Sequence, residues 1–196
     1  MCRVRIIAGQ FRGRKLLGPQ GDTTRPITDR VKQSLFDILT PLLEGARVLD
    51  LFAGTGSLGL EALSRGAAHV TFHESDCSAL ALLYKNIRAL GVEDRTTIVG
   101  HDIFSHLGRH PEAASEGVDS RFALAFLDPP YRFVRERPDN LQALVRVLTS
   151  DFLADDATVV FRHDASDRLD LPPLVADDVR NYGGMTIQLL RKATRP

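Results

Sequence analysis

The stretch RVLDLFAGTGSLGLE, Arg47 to Glu61, decides the fold. Its apolar run, Val48 to Phe52, has the length and continuity of a strand buried in a parallel sheet. Gly54-Thr55-Gly56 turns the chain, and Leu58, Leu60, Glu61, Ala62 and Leu63 continue it as a helix. Strand, glycine turn and helix is how an α/β sheet holds an adenosine-containing cofactor at its carboxyl edge. Gly54, Gly56 and Gly59 spell G-x-G-x-x-G, and Glu74 stands 20 residues after Gly54, where an acid for ribose hydroxyls belongs.

Asp50 narrows the choice of cofactor. Near the carboxyl end of the strand, its side chain is expected to point into the cofactor crevice. A dinucleotide would bring a pyrophosphate there and be repelled. S-adenosylmethionine (SAM) brings an ammonium and a sulfonium and no phosphate. The acid therefore favours SAM and disfavours a dinucleotide oxidoreductase.

On either side of this stretch the chain alternates strands and helices. Thr28 or Asp29 is placed to cap a helix running to about Leu39, with Val31, Leu35, Ile38 and Leu39 on its apolar face and Pro41 ending it. His69 to His73, Thr96 to Val99, Phe122 to Leu127 and Thr158 to Phe161 read as further strands. A helix with the stripe Leu80, Leu83, Ile87 and Leu90 ends at Gly91. Residues 108–121 read as a polar surface loop, Arg132 to Pro138 as a charged loop able to act as a lid, and Leu141 to Leu148 as a helix. Val175 to Tyr182 and Thr186 to Leu190, joined by Gly183-Gly184, read as a closing antiparallel hairpin. The expected fold is α/β: a doubly wound, mostly parallel, seven-stranded, Rossmann-like sheet with that hairpin at its end. Asp50, Glu74, Asp102 and Asp128 then fall on one edge of it. Residues 4–8 and 14–17 flank a glycine-bearing turn and read as a small N-terminal β-hairpin. Residues 1–40 are expected to form a basic extension and 41–196 the cofactor-binding domain.

Net charge is zero, but residues 1–32 hold eight lysines and arginines against two acids, so the remainder is acidic. A basic arm on an acidic body is the footprint of a nucleic-acid grip. Within the arm, Phe11 is placed to stack on a base while Arg12, Arg14 and Lys15 meet phosphates. Two cysteines, Cys2 and Cys77, make no disulfide framework, and no Cys/His spacing suggests a metal. No apolar run is long enough to span a membrane, and the arginine-rich start lacks a secretory core. The expectation is a cytoplasmic protein, monomeric, with no metal.

Asp128-Pro129-Pro130-Tyr131 carries the chemistry. The lone pair of an exocyclic base amine is delocalised into the ring, so the amine is a poor nucleophile. Acceptors on its two hydrogens favour a geometry in which that lone pair can reach a methyl carbon. The Asp128 carboxylate is one such acceptor, and the Pro129 carbonyl, aimed by a stiff turn that includes Pro130, is the other. Tyr131 is placed to stack on the base. The base must be unpaired or flipped out to enter.

In four segments the chain resembles a known family. RIIAGQFRGRKL (Arg5 to Leu16), RPITDRVKQSLFDIL (Arg25 to Leu39), VLDLFAGTGSLGLEALSRGA (Val48 to Ala67) and LDPPY (Leu127 to Tyr131) together look like the RsmD family. These are bacterial SAM-dependent methyltransferases acting on the N2 amine of one guanine in 16S ribosomal RNA. The resemblance implies a SAM site of Asp50, Phe52, Ala53, Gly54, Thr55, Gly56, Glu74, Ser75, Asp102 and Ile103, with Glu74 on the ribose and Asp102 near the adenine amine. It places Arg25, Thr28 and Arg30 near the active site or the RNA, beside Arg5, Arg12, Arg14 and Lys15 of the basic arm on the RNA side, and implies an assembled or assembling small subunit as partner. Two departures stand out: Phe161-Arg162-His163 where the family often has an acid, and His73 where an apolar residue is usual. The alternative reading is a DNA adenine-N6 or cytosine-N4 methyltransferase, for which 196 residues leave little room for a recognition region.

Overall fold

The computed structural model describes residues 4–18, 27–106 and 121–193. Seven strands follow the order β3-β2-β1-β4-β5-β7-β6. The chain divides into two compact units, residues 1–102 and 103–196.

In the first unit, β1 (Arg47–Asp50), β2 (His69–His73) and β3 (Thr96–Val99) are parallel, with Asp50 level with Phe72 and His73 with Val99. Val48, Val70 and Phe72 are fully buried, as the apolar pattern requires. Helix α1 (Asp29–Leu39) starts at Thr28, whose Oγ1 accepts weakly from the Val31 N–H at 3.4 Å. Its buried face holds Val31, Lys32, Leu35, Phe36 and Leu39. Ile38, expected inside, is only half-buried, whereas Phe36, further round the helix, is fully buried. Helix α2 (Ser57–Ser64) follows the glycine turn. Helix α3 (Cys77–Leu90) is capped by Asp76, whose Oδ1 accepts from the Ala79 N–H at 2.8 Å, and it ends at Gly91 in the left-handed region.

The N-terminal arm belongs to this first unit. The expected hairpin is a single antiparallel bridge, Arg5 to Lys15, flanked by Ile6 N–H to Arg14 O and Leu16 N–H to Val4 O, each at 2.9 Å. Buried polar groups fix the arm to the unit. The Glu61 carboxylate, fully buried, accepts from Ile7 N–H at 2.7 Å, Ala8 N–H at 3.0 Å and Arg65 Nε at 2.9 Å. Lys32 Nζ lies 3.3 Å from Glu61 and donates to Arg5 O at 2.6 Å and to Ser57 Oγ at 3.3 Å. Burial, the largest influence, pulls the Lys32 amine below its ordinary pKa, against the raising effect of Glu61. Asn86 exchanges two hydrogen bonds with the Leu17 backbone and donates to Thr55 O at 2.9 Å. Gly9 approaches α2 so closely that a Cβ would lie 1.8 Å from Ser64 O.

In the second unit, β4 (Phe122–Leu127) and β5 (Leu153–Asp164) are parallel, and β7 (Met185–Lys192) runs antiparallel to both β5 and β6 (Leu174–Tyr182). The C-terminal hairpin therefore matches expectation, while β5 is longer than its apolar centre suggested. Short helix α4 (Ile103–His106) had no sequence signal. The charged loop expected at Arg132 to Pro138 is instead helix α5 (Tyr131–Glu136), followed directly by α6 (Pro138–Val147). Pro130 stands at its N-cap position, Val134 is buried, and Arg135 Nε reaches Asp167 at 2.6 Å. Arginine and glutamate are good helix formers, so the charges that suggested a loop are the solvent face of a helix. The expected loop at 108–121 lies, but for Arg121, outside the described residues.

Candidate active site

The glycine turn is organised by two carboxylates. Asp50 is 1% exposed, and its Oδ2 accepts from the Gly59 N–H at 3.0 Å. It does not reach out into a crevice, as expected, but satisfies a first-turn amide of α2, where an anion is favoured. The helix N-terminus on which a dinucleotide's pyrophosphate would rest is already held by a carboxylate, which still disfavours a dinucleotide. Glu74, at the end of β2, accepts from Gly54 N–H at 2.7 Å through Oε2 and from Asp76 N–H at 2.8 Å through Oε1. It ties the turn to the β2–α3 junction. Two further acceptor sites remain in a carboxylate's complement of about four.

The glycines of the motif serve different needs. Gly56 sits at φ 84° as the residue before α2. At Gly59 a Cβ would meet Phe72 Cε1 at 2.3 Å, so α2 lies against β2 only because the side chain is missing. At Gly54 a Cβ would meet no atom within 4 Å, so the turn's outer side is open. Ala53 and Thr55 are buried, Phe52 is half-buried, and Ser75 and Asp102 are exposed. Ile103 is 4% exposed at the start of α4.

In the second unit, register assembles a site the sequence only half disclosed. Leu127 is level with Phe161 on adjacent parallel strands. The next residues, Asp128 and Arg162, therefore stand side by side. Arg162 Nε donates to Asp128 Oδ1 at 2.6 Å, and the two side chains are 13% and 16% exposed. The guanidinium carbon lies 5.8 Å from the Tyr131 ring centroid. Burial alone would loosen the Arg162 proton, but the charge and hydrogen bond of Asp128 outweigh it and hold the guanidinium above its ordinary pKa. Pro129 is buried, and the Pro130 carbonyl accepts from Phe133 N–H at 2.8 Å, which opens α5 with Tyr131. Arg162, a departure from the family pattern, and Asp128 each follow directly on the apolar core of a strand, which places both at one end of the sheet but does not by itself make them neighbours; the register does.

The residues expected on the RNA side divide. Arg5 is paired with Asp29 at 2.7 Å, Arg14 donates to Ala89 O at 2.5 Å, and Thr28 caps α1. Arg12, Lys15 and Arg30 are exposed, and Phe11 is half-buried. Arg5, Arg12 and Gln33, with Ile6, Ile7, Ala8 and Gly13, line a cavity of about 480 Å³. Arg25 lies outside the described residues. Sequence reasoning missed Lys32, Glu61 and Asn86, although each interrupts an apolar helix face.

Fold and glycine turn together define the class: a Rossmann-like α/β protein of the methyltransferase type. A family profile described as "Conserved hypothetical protein 95" matches residues 4–191. Ribosomal RNA small subunit methyltransferase D of Escherichia coli (strain K12) is 37% identical over 172 residues, 87% of this chain and 80% of that protein. Its namesake from Haemophilus influenzae is 42% identical over 130 residues, 66% of this chain and 65% of that one. The solved structure of a hypothetical protein from Thermus thermophilus superposes with a TM-score of 0.74 at 32% identity, over 97% of this chain and 99% of that one. The chain belongs to this family, the RsmD family.

Proposed function

We propose that this protein is a SAM-dependent ribosomal RNA methyltransferase that modifies the N2 amine of a guanine in 16S RNA, acting in the cytoplasm on an assembled or assembling small subunit. The observation that carries the reading is Asp128-Pro129-Pro130-Tyr131 at the end of an apolar parallel strand, in a chain whose relatives are named as small-subunit rRNA methyltransferases.

The residues of the first unit suit SAM. Glu74 has acceptor capacity for ribose hydroxyls, the outer side of Gly54 admits close approach, and Asp102 is exposed for the adenine amine. When bound, SAM would supply an electrophilic methyl group, its C–S bond giving way to a C–N bond at the base amine with a neutral thioether as leaving group and the amine proton lost to water. The protein's own part is orientation. Asp128 accepts one amine hydrogen and the Pro129 carbonyl the other, while Tyr131 stacks on the base. Ordered geometry of this kind is worth roughly 7–11 kcal/mol.

The test is incubation of the protein with methyl-labelled SAM and small subunits from cells lacking the gene, followed by nucleoside analysis. Label in N2-methylguanosine is the expected result. Label in methylated adenosine or cytidine, or transfer to DNA in preference to RNA, would overturn the substrate assignment. Asp128→Ala should abolish transfer while SAM affinity stays within about threefold; normal turnover would remove the amine-acceptor role.

A further inference from the structure

We infer that Arg162 is a positioning residue of the amine site: it holds the Asp128 carboxylate and the Tyr131 ring in the arrangement the base amine meets. The inference rests on the methyl-transfer reading above and goes beyond it by assigning a residue outside the Asp128–Tyr131 turn. Three observations carry it. Leu127 and Phe161 are paired in register, so Asp128 and Arg162 are neighbours across adjacent strands, about 4.8 Å apart in backbone spacing. The Arg162 Nε to Asp128 Oδ1 bond is 2.6 Å, short even for a charge-assisted pair, and both side chains are largely buried. The same guanidinium lies 5.8 Å from the Tyr131 centroid, within cation–π range, and its Nη1 is 3.7 Å from Met185 Sδ on β7.

The physical consequence follows from geometry. A carboxylate at the end of a strand has free rotation about its last bond. Occupying Oδ1 with a guanidinium fixes the carboxyl plane and directs the remaining lone pairs. The planar guanidinium, held between β5, β7 and the turn, also limits the tilt of the ring on which the base stacks. Arg162 acts through Asp128 and Tyr131 and need not touch RNA itself. Lysine would keep the charge but not the planar Nε–H donor.

The experiment is steady-state methylation of small subunits by wild type, Arg162→Met, Arg162→Lys, Asp128→Asn and the double variant Asp128→Asn/Arg162→Met, with SAM affinity by calorimetry and folding by thermal melting. Misplacement of a positioned group by about 1 Å costs on the order of 100-fold. Arg162→Met should lower kcat roughly 10- to 100-fold, with KM for the subunit and Kd for SAM within about threefold. Arg162→Lys should recover part of the loss. In the Asp128→Asn background, Arg162→Met should cost distinctly less than in the wild type, because the charge it orients is gone and only its hold on the Tyr131 ring remains to be lost. An unchanged kcat in Arg162→Met, a loss confined to KM, or an equal loss in both backgrounds would each overturn the inference. Should Arg162→Met fail to fold, Arg162→Lys run through the same cycle carries the test. Wild-type turnover is read separately: its absence would sink the functional reading, whereas additive losses with an active wild type would sink the role of Arg162 alone.

Discussion

Gly54 and Gly59 belong to one motif and answer to different forces. Alanine at 59 would press its Cβ to 2.3 Å from Phe72 Cε1 and 2.8 Å from Val70 Cγ1, both on fully buried side chains with no room to withdraw. Overpacking of that kind costs about 1–3 kcal/mol, or about 2–4 °C of melting temperature per kcal/mol in a chain of this size. Gly59→Ala should therefore melt lower yet bind SAM within about threefold of wild type. Gly54→Ala is the mirror case. It has space but a φ of 55°, so strain of about 1–2 kcal/mol is expected, with the methyl on the side left open for ligand. It should weaken SAM binding roughly tenfold, about 1.4 kcal/mol. Calorimetric titration beside a thermal melt separates the two; equal behaviour of the variants would refute the division of labour.

Lys32 is the other residue whose behaviour can be worked out with a sign. Removing it leaves Glu61 buried beside one fewer cation, and breaking a buried pair costs about 3–5 kcal/mol. Its folded-state pKa is below 10.5 because burial outweighs the attraction of Glu61. Just below pH 10.5 the unfolded chain therefore holds more protons than the folded one, and stability rises with pH. This contribution is complete above the unfolded value and is lost as pH falls through the folded one. Urea denaturation of wild type and Lys32→Met at about pH 8 and about pH 10 should show the gap widening at the higher pH. A gap that narrows would mean Glu61 dominates.

At the scale of elements, the arm is joined to the cofactor turn by Lys32 and Asn86, one on each side of Gly56. Lys32 links Arg5 O to Ser57 Oγ, and Asn86 links Leu17 to Thr55 O. Asn86→Leu would strand Leu17 N–H, Leu17 O and Thr55 O, each loss worth about 1–3 kcal/mol if no water replaces it. The variant should lose stability and bind SAM more weakly, whereas Leu80→Ala, on the half-buried side of the same helix, should lose stability alone. SAM affinity unchanged in Asn86→Leu would show that the turn holds its shape without the arm. These joints explain what could be read in the sequence. β2, β3 and β4 were legible to the residue because a short apolar run between turn signals fits few other structures. The glycine turn was legible because backbone need shows as residue type. Lys32, Glu61 and Asn86 were not, since a charge or amide on a helix reads as solvent-facing until the packed neighbour is known. α5 was missed for the same reason in reverse. The meeting of Asp128 with Arg162 depends on strand register, which no local pattern encodes.

For the molecule as a whole, the uneven charge matters most. Eight basic residues among the first 32 stand against an acidic remainder, but not all of them are available to a polyanion. Arg5 is engaged with Asp29, Arg14 with the Ala89 carbonyl and Lys32 with Glu61. Arg5, Arg12, Arg14, Lys15 and Arg30 are all exposed among the described residues of the arm and the start of α1, and Arg12, Lys15 and Arg30 are those not engaged in this way. Each phosphate contact contributes about 0.7–0.9 to the slope of log K against log salt. Charge reversal at Arg12, Lys15 and Arg30 together should therefore lower RNA affinity and reduce that slope by about 2. Arg14→Gln should act differently, lowering melting temperature through the lost bond to α3 while leaving the salt slope nearly unchanged. Filter binding of 16S RNA across a salt series, run beside thermal melts, distinguishes the outcomes. If Arg14→Gln flattened the slope as much as the triple reversal, its bond to Ala89 would have to break when RNA arrives, and the arm would grip RNA by trading internal partners for phosphates.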